Sequence, residues 1–216
     1  MKDTVIFDLD GTLLDTLKDL TLGVNHALRL HGMPERTIDE IRGFIGNGVP
    51  TLVKRSVPEN TPQDVLGQCI EDMRTYYSAH STDNTKPYDG ICELLEKLRK
   101  NGIKTAVVTN KLESVARDLC KEIFGDVFTC VIGDNGVDRR KPAPDNVFRA
   151  LKELGSDASS AYYVGDSDVD MITAENAGIE SIGVLWGFRG RETLTESGAM
   201  YIAENTDELF SIITKS

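Results

Sequence analysis

The sequence predicts an α/β protein: a mostly parallel sheet with an all-helical block inserted after its first strand. Three observations carry this expectation. From Pro87 onward, short apolar runs of strand length alternate with amphipathic stretches. That is the rhythm of a parallel sheet covered by helices on both faces. The preceding segment, 16–82, shows helical spacing and no strand pattern. Finally, Val5, Ile6 and Phe7 form an apolar run, as expected of a strand buried on both faces, and two acids follow, Asp8 and Asp10.

The elements follow in order. Leu17, Leu20, Val24 and Leu28 recur at helical spacing and predict a helix over 16–30, with Thr16 as N-cap and Gly32 as stop. Residues 37–45 read as a second helix, ended by Gly46. A third is expected over 49–57, where Pro50 is tolerated in the first turn, and a fourth over 61–79, with Pro62 at its first position. The block 16–82 is therefore expected to be a separate helical subdomain, with 1–15 and 83–216 forming the main domain. There the pattern predicts helices at 90–100, 114–124, 145–154, 169–177 and 207–213, and strands at 104–109, 128–132, 161–165, 181–185 and, weakly, 200–203. Sheets of this kind bind ligands at the carboxyl ends of their strands. Asp8, Asp10, Thr109 and Asp166 all fall there.

The 216 residues suffice for one sizeable domain with a small insert. A formal net charge of −11 argues against nucleic acid or an anionic membrane as the main partner. No apolar run approaches the length of a membrane span, and no basic then apolar leader precedes the first strand. Cys69, Cys92, Cys120 and Cys130 are scattered without a CxxC pair, so thiolate metal binding is not expected. The expectation is a reduced cytoplasmic protein.

Four short segments carry chemistry. In VIFDLDGTLLD (5–15), residues two apart on a strand point the same way, so Asp8 and Asp10 are expected on one side, with Gly11 turning the chain. Like charges about 4 Å apart cost roughly 4 kcal/mol at an effective dielectric near 20. A divalent cation or a shared proton removes that cost. In AVVTN (106–110), Thr109 can offer its hydroxyl, and the next N–H its proton, to a phosphate oxygen. In RRKPAPD (139–145), two prolines restrict the backbone around Lys141. In VGDSDVDM (164–171), Asp166 and Asp170 can complete oxygen ligation of a hard cation, while Asp168 reads as an N-cap. Taken singly, these are a polar turn, a strand end, a basic loop and a capped helix.

Together and in this order they resemble the four signatures of the haloacid dehalogenase superfamily, and the resemblance covers nearly the whole chain. It implies a Rossmann-like core with a helical cap. It implies that Asp8 attacks phosphorus and that Asp10 serves as acid/base, its proton held by crowding with like charges. It further implies that Thr109, Asn110 and Lys141 bind phosphate, and that Asp8, Asp10, Asp166 and Asp170 hold Mg²⁺. An acid at the second position separates such phosphatases from the family's dehalogenases and ion-pumping ATPases. Four carboxylates and one lysine leave a site that would repel a phosphate dianion, so a divalent cation is expected.

The helical block carries RGFIGNGVPTLVKRSV (42–57), which resembles the cap loop of phosphoglycolate phosphatases, and WGFRGRETL (186–194) resembles a later stretch of the same enzymes. Gly46 and Gly48 would let backbone approach a substrate. Arg42, Lys54 and Arg55 are candidate carboxylate partners, or else solvated helix charges. The expected substrate is a small phosphorylated metabolite, with phosphoglycolate foremost. Inorganic pyrophosphate, a β-phosphoglucomutase-like phosphosugar reaction and a catalytically silent phosphate-binding module are the alternatives. A monomer or a homodimer is expected.

Overall fold

A computed structural model describes residues 2–215. The chain divides into two compact units, Met1–Asp15 with Pro87–Ser216, and Thr16–Lys86. The first is α/β. Its sheet contains β1 (Thr4–Phe7), β4 (Lys104–Leu112), β5 (Cys130–Asp134), β6 (Ala161–Gly165), β7 (Glu180–Val184) and β8 (Tyr201–Ala203), in the order β5-β4-β1-β6-β7-β8. The neighbouring strands are parallel. Where the chain leaves and re-enters this unit, β2 (Leu14–Asp15) and β3 (Lys86–Pro87) form a separate two-stranded sheet.

The first strand lies inside the sheet and is buried along its whole length. Phe7 pairs with Val107 on one side and Val164 on the other. One face of the sheet buries Val5, Phe7, Val107, Tyr162 and Val164 against Leu94 and Leu98 of α5 (Ile91–Lys100), Leu119 of α6 (Glu113–Phe124) and Leu209 of α10 (Thr206–Thr214). The other buries Ile6, Ala106, Val108, Ile132 and Tyr163 against Val147 and Leu151 of α7 (Asp145–Leu154) and Ala174 of α8 (Asp168–Ala177). Consecutive residues of β1 thus feed opposite layers, as a period of two requires. Strand order reverses at β1, between β4 and β6, and in sheets of this kind ligands bind at the carboxyl ends of the strands at such a reversal.

The second unit packs α1 (Leu17–Leu30), α2 (Ile38–Phe44), α3 (Val49–Ser56) and α4 (Gln63–His80). Thr37 and Glu40 form a capping box at the start of α2. Buried Asp19 accepts from the N–H groups of Asn84 and Thr85 and from both their side chains, which ties 84–85 to the first turn of α1.

Several boundaries differ from expectation. Strand β4 runs on to Leu112, carrying Asn110 and Lys111 within it, and β5 starts two residues late and ends on Asp134. Helix α9 (Arg191–Glu196) has six residues, too few for its periodicity to stand out. The cap of α8 is Ser167, not Asp168: Ser167 and Asp170 form a capping box, and Asp168 is the first helical residue. No helix among the described residues is long and apolar enough to cross a membrane.

Candidate active site

The strand ends β1, β4 and β6 and the start of α8 gather the charged residues. Asp8 follows β1 directly, its N–H donating to Val164 O at 2.9 Å. Asp166 follows β6 and is almost fully buried. Its Oδ1 accepts from Thr12 Oγ1 at 3.1 Å, and its Oδ2 from the Phe188 N–H at 2.8 Å. Asp170 has no exposed surface; its Oδ2 accepts from the N–H and hydroxyl of Ser167. Each of Asp8, Asp166 and Asp170 places one oxygen within 4.8 Å of the others.

Glycines make room for this cluster, Gly11 and Gly165 among them. Gly11 has φ +88°, and any Cβ there would strike the Asp166 carboxylate. A Cβ on Gly165 would collide with Asp170. Substitution at either position would displace a carboxylate.

Lys141 lies buried among these acids, its Nζ 2.8 Å from Asp8 Oδ1 and 2.7 Å from Asp170 Oδ1. Asn110 fixes it from behind: Asn110 Oδ1 accepts from the Lys141 N–H at 2.9 Å, and Asn110 Nδ2 donates to Lys141 O at 3.1 Å. Burial and the neighbouring Asp170 charge push Asp8 up to about 7, against the pull of Lys141. Burial, then Asp170 and Asp8, likewise hold Asp166 well above the usual carboxylate range.

These residues fit a hard divalent cation. Three carboxylates converge, two of them with raised proton affinity, and Asp8 Oδ1 is buried with no hydrogen bond beyond its ion pair with Lys141. A cation would relieve the crowding that burial and like charge impose.

The profile of the haloacid dehalogenase-like hydrolases matches residues 5–184, a span that includes every residue of the cluster. The chain belongs to the haloacid dehalogenase-like hydrolases. A phosphoglycolate phosphatase of Pseudomonas syringae pv. tomato is 34% identical over 206 residues, covering 92% of this chain and 75% of that one. One from Aquifex aeolicus is 32% identical over 185 residues, covering 85% of each. A crystal structure from Lactobacillus delbrueckii subsp. bulgaricus superposes with a TM-score of 0.94 at 34% identity, covering both chains fully. Within its family the chain thus resembles phosphoglycolate phosphatases and is a phosphoric monoester hydrolase.

Of the expected residues, Asp8, Lys141, Asp166 and Asp170 come together. The Asp10 carboxylate is not among the three converging acids: its Oδ1 lies 2.8 Å from Lys111 Nζ. Strand β1 ends at Phe7, so the alternation expected to align Asp8 with Asp10 stops before either residue. The chain instead turns, with the N–H groups of Thr12, Leu13 and Leu14 converging on Leu9 O. Buried Thr109 accepts the Lys111 N–H on its Oγ1 at 3.2 Å. In the basic loop before α7, Arg140 pairs with Asp134 at 2.6 Å and Arg139 with Asp145 at 3.0 Å.

Sequence reasoning missed Lys111, Thr12 and the Phe188 N–H. The last two reach Asp166 from 154 and 22 residues away. The stretch WGFRGRETL, noted for its resemblance, supplies Phe188, and its Trp186 donates from Nε1 to Thr12 O at 2.9 Å. In the second unit, Arg42, Lys54 and Arg55 are exposed, while Gly46 and Gly48 are half-buried, both with positive φ. Arg55 donates to Phe44 O at 2.9 Å, a helix-to-loop tie within that unit.

Proposed function

We propose that this hydrolase is a Mg²⁺-dependent phosphatase that acts through a phosphorylated Asp8, with phosphoglycolate as its substrate. The observation that carries the reading is the Lys141 ammonium, shared by Asp8 and Asp170 beside a carboxylate cluster that fits a hard cation. Asp8 attacks phosphorus in line, and Lys141 holds the nucleophile and offsets charge on the phosphoryl oxygens. Thr109 and the backbone after it would orient those oxygens. Asp10 gives a proton to the leaving alkoxide and then takes one from the water that hydrolyses the acyl phosphate. Asp8 and Asp166 would hold Mg²⁺, while Asp170 is occupied by Lys141 and Ser167. The cation would draw charge off the phosphate and lower the repulsion that the nucleophile meets.

Two phosphoglycolate phosphatases covering most of this chain support the substrate. The second unit, Thr16–Lys86, is proposed as the cap that selects it. The test is Mg²⁺-dependent phosphate release across a panel: phosphoglycolate, pyrophosphate, hexose phosphates and an aryl phosphate. The highest kcat/KM should fall on phosphoglycolate. A higher value for pyrophosphate or a hexose phosphate would replace the substrate and leave the chemistry standing. No release from any ester with Mg²⁺ present would overturn the reading.

A further inference from the structure

We propose that Lys111 is a positioning residue for the proton chemistry of Asp10. This rests on the reading of Asp10 as acid/base given above. Lys111 Nζ lies 2.8 Å from Asp10 Oδ1, and the two side chains are only 4% and 15% exposed. Burying an ammonium is costly unless a partner compensates it. The chain nevertheless places one here, one residue beyond Asn110, although Lys141 already serves the neighbouring acids.

The backbone of Lys111 is held on two sides. Its N–H donates to Thr109 Oγ1 at 3.2 Å, and its carbonyl lies where a Cβ on Gly133 would collide. Asp10, by contrast, sits in an irregular turn beyond the end of β1. A carboxylate on a turn needs an external constraint if it is to meet a leaving oxygen repeatedly in one geometry. Lys111 supplies it by fixing Oδ1. The two lysines therefore divide the work: Lys141 serves the nucleophile Asp8, and Lys111 serves the acid/base Asp10.

The test uses the full chain with Mg²⁺, a poor leaving group (an alkyl phosphate) and a good one (an aryl phosphate). Lys111→Met should lower kcat about 10- to 100-fold on the alkyl ester and only a few-fold on the aryl ester, with KM changed less than about 3-fold. Lys111→Arg, which keeps the charge, should recover most of the alkyl activity. In an Asp10→Asn background Lys111→Met should add less than about 2-fold, because the two residues act as one unit.

Equal losses on both esters, a loss confined to KM, or a full additional loss in the Asp10→Asn background would each overturn the proposal. If Lys111→Met does not fold, Lys111→Gln takes its place in the same design. The two readings fail separately. An Asp8→Asn variant that retains turnover removes the covalent reading without testing Lys111. Additivity with Asp10→Asn, in an enzyme that needs Asp8, removes only the role of Lys111.

Discussion

Lys141 and Lys54 are both candidate functional lysines in the sequence, and the fold treats them oppositely. Lys141 is 4% exposed, touches two carboxylates and has its own peptide clamped by Asn110. Lys54 stands exposed in the last turn of α3. The contrast extends to their regions. At the strand ends of the first unit, buried charges must find partners or impose a large cost, so the fold constrains each of them. In the 42–55 stretch of the second unit, Arg42, Lys54 and Arg55 are exposed, and the backbone is held by caps and local ties. A buried charge is constrained by its partners, whereas an exposed one is screened by solvent.

If that contrast is right, the largest effects lie among the buried residues. Asp8→Asn should reduce turnover by at least ~10³-fold, or about 4 kcal/mol of barrier, because an amide is a poor nucleophile. Retention of a tenth of the activity would break the comparison at its strongest point. Lys141→Met comes next. It removes the shared ammonium and leaves Asp8 and Asp170 buried without it, so kcat/KM should fall about 10²-fold or more. Stability should fall by roughly 3 kcal/mol, as when one partner of a buried pair is removed. A thermal melt and a rate assay on one preparation would show both losses. Full activity with lowered stability would make Lys141 purely structural.

A third effect is smaller and depends on pH. Asp8 has a folded value of about 7, against 3.8 for the unconstrained group. The metal-free folded chain therefore binds more protons than the unfolded chain between those values. Its stability accordingly falls as pH rises through that window. Asp166 shifts in the same direction. A divalent cation competes with these protons and removes the repulsion. Mg²⁺ should therefore raise Tm more at pH 8 than at pH 5.5, by several degrees at saturating concentration. EDTA should reverse the gain. An equal shift at both pH values would mean that the crowded carboxylates are not where the cation binds.

The same contrast explains what the sequence made legible. Asp8, Lys141, Asp166 and Asp170 stood out because the signatures place each at a strand end or helix start, and local structure carried them to the site. The alternating rhythm foretold the parallel sheet because both faces of β1, β4 and β6 are buried. Lys111 did not stand out because the strand was expected to end at Thr109. The contact that gives Lys111 its meaning comes from a turn 101 residues away. The Asp10–Lys111 contact was not foreseen for a related reason: a period of two was extended past Phe7, where the pairing of β1 ends. Thr12 and Phe188 act on Asp166 through tertiary contacts that leave no local pattern. In each case the hidden partner was legible only once the fold brought distant segments together.

The smallest effect probes the solvated side of the contrast. Arg42 is exposed in the last turn of α2, and a carboxylate-bearing substrate is what an arginine there would suit. An exposed charge contributes about 1 kcal/mol at most, so Arg42→Ala should lower kcat/KM for phosphoglycolate by roughly 3- to 5-fold relative to a neutral ester of similar size. The neutral ester should scarcely change, because nothing in the phosphoryl chemistry of the first unit depends on Arg42. Salt supplies a control: raising ionic strength should shrink the Arg42 effect, since exposed charges are screened within about a Debye length. The loss on Lys141→Met should persist under the same salt, because that ammonium is buried. A ratio unchanged by Arg42→Ala would move carboxylate selection to other residues. A ratio that changed by 100-fold would mean that Arg42 is desolvated when substrate binds, and the division between constrained chemistry and solvated recognition would have to be redrawn.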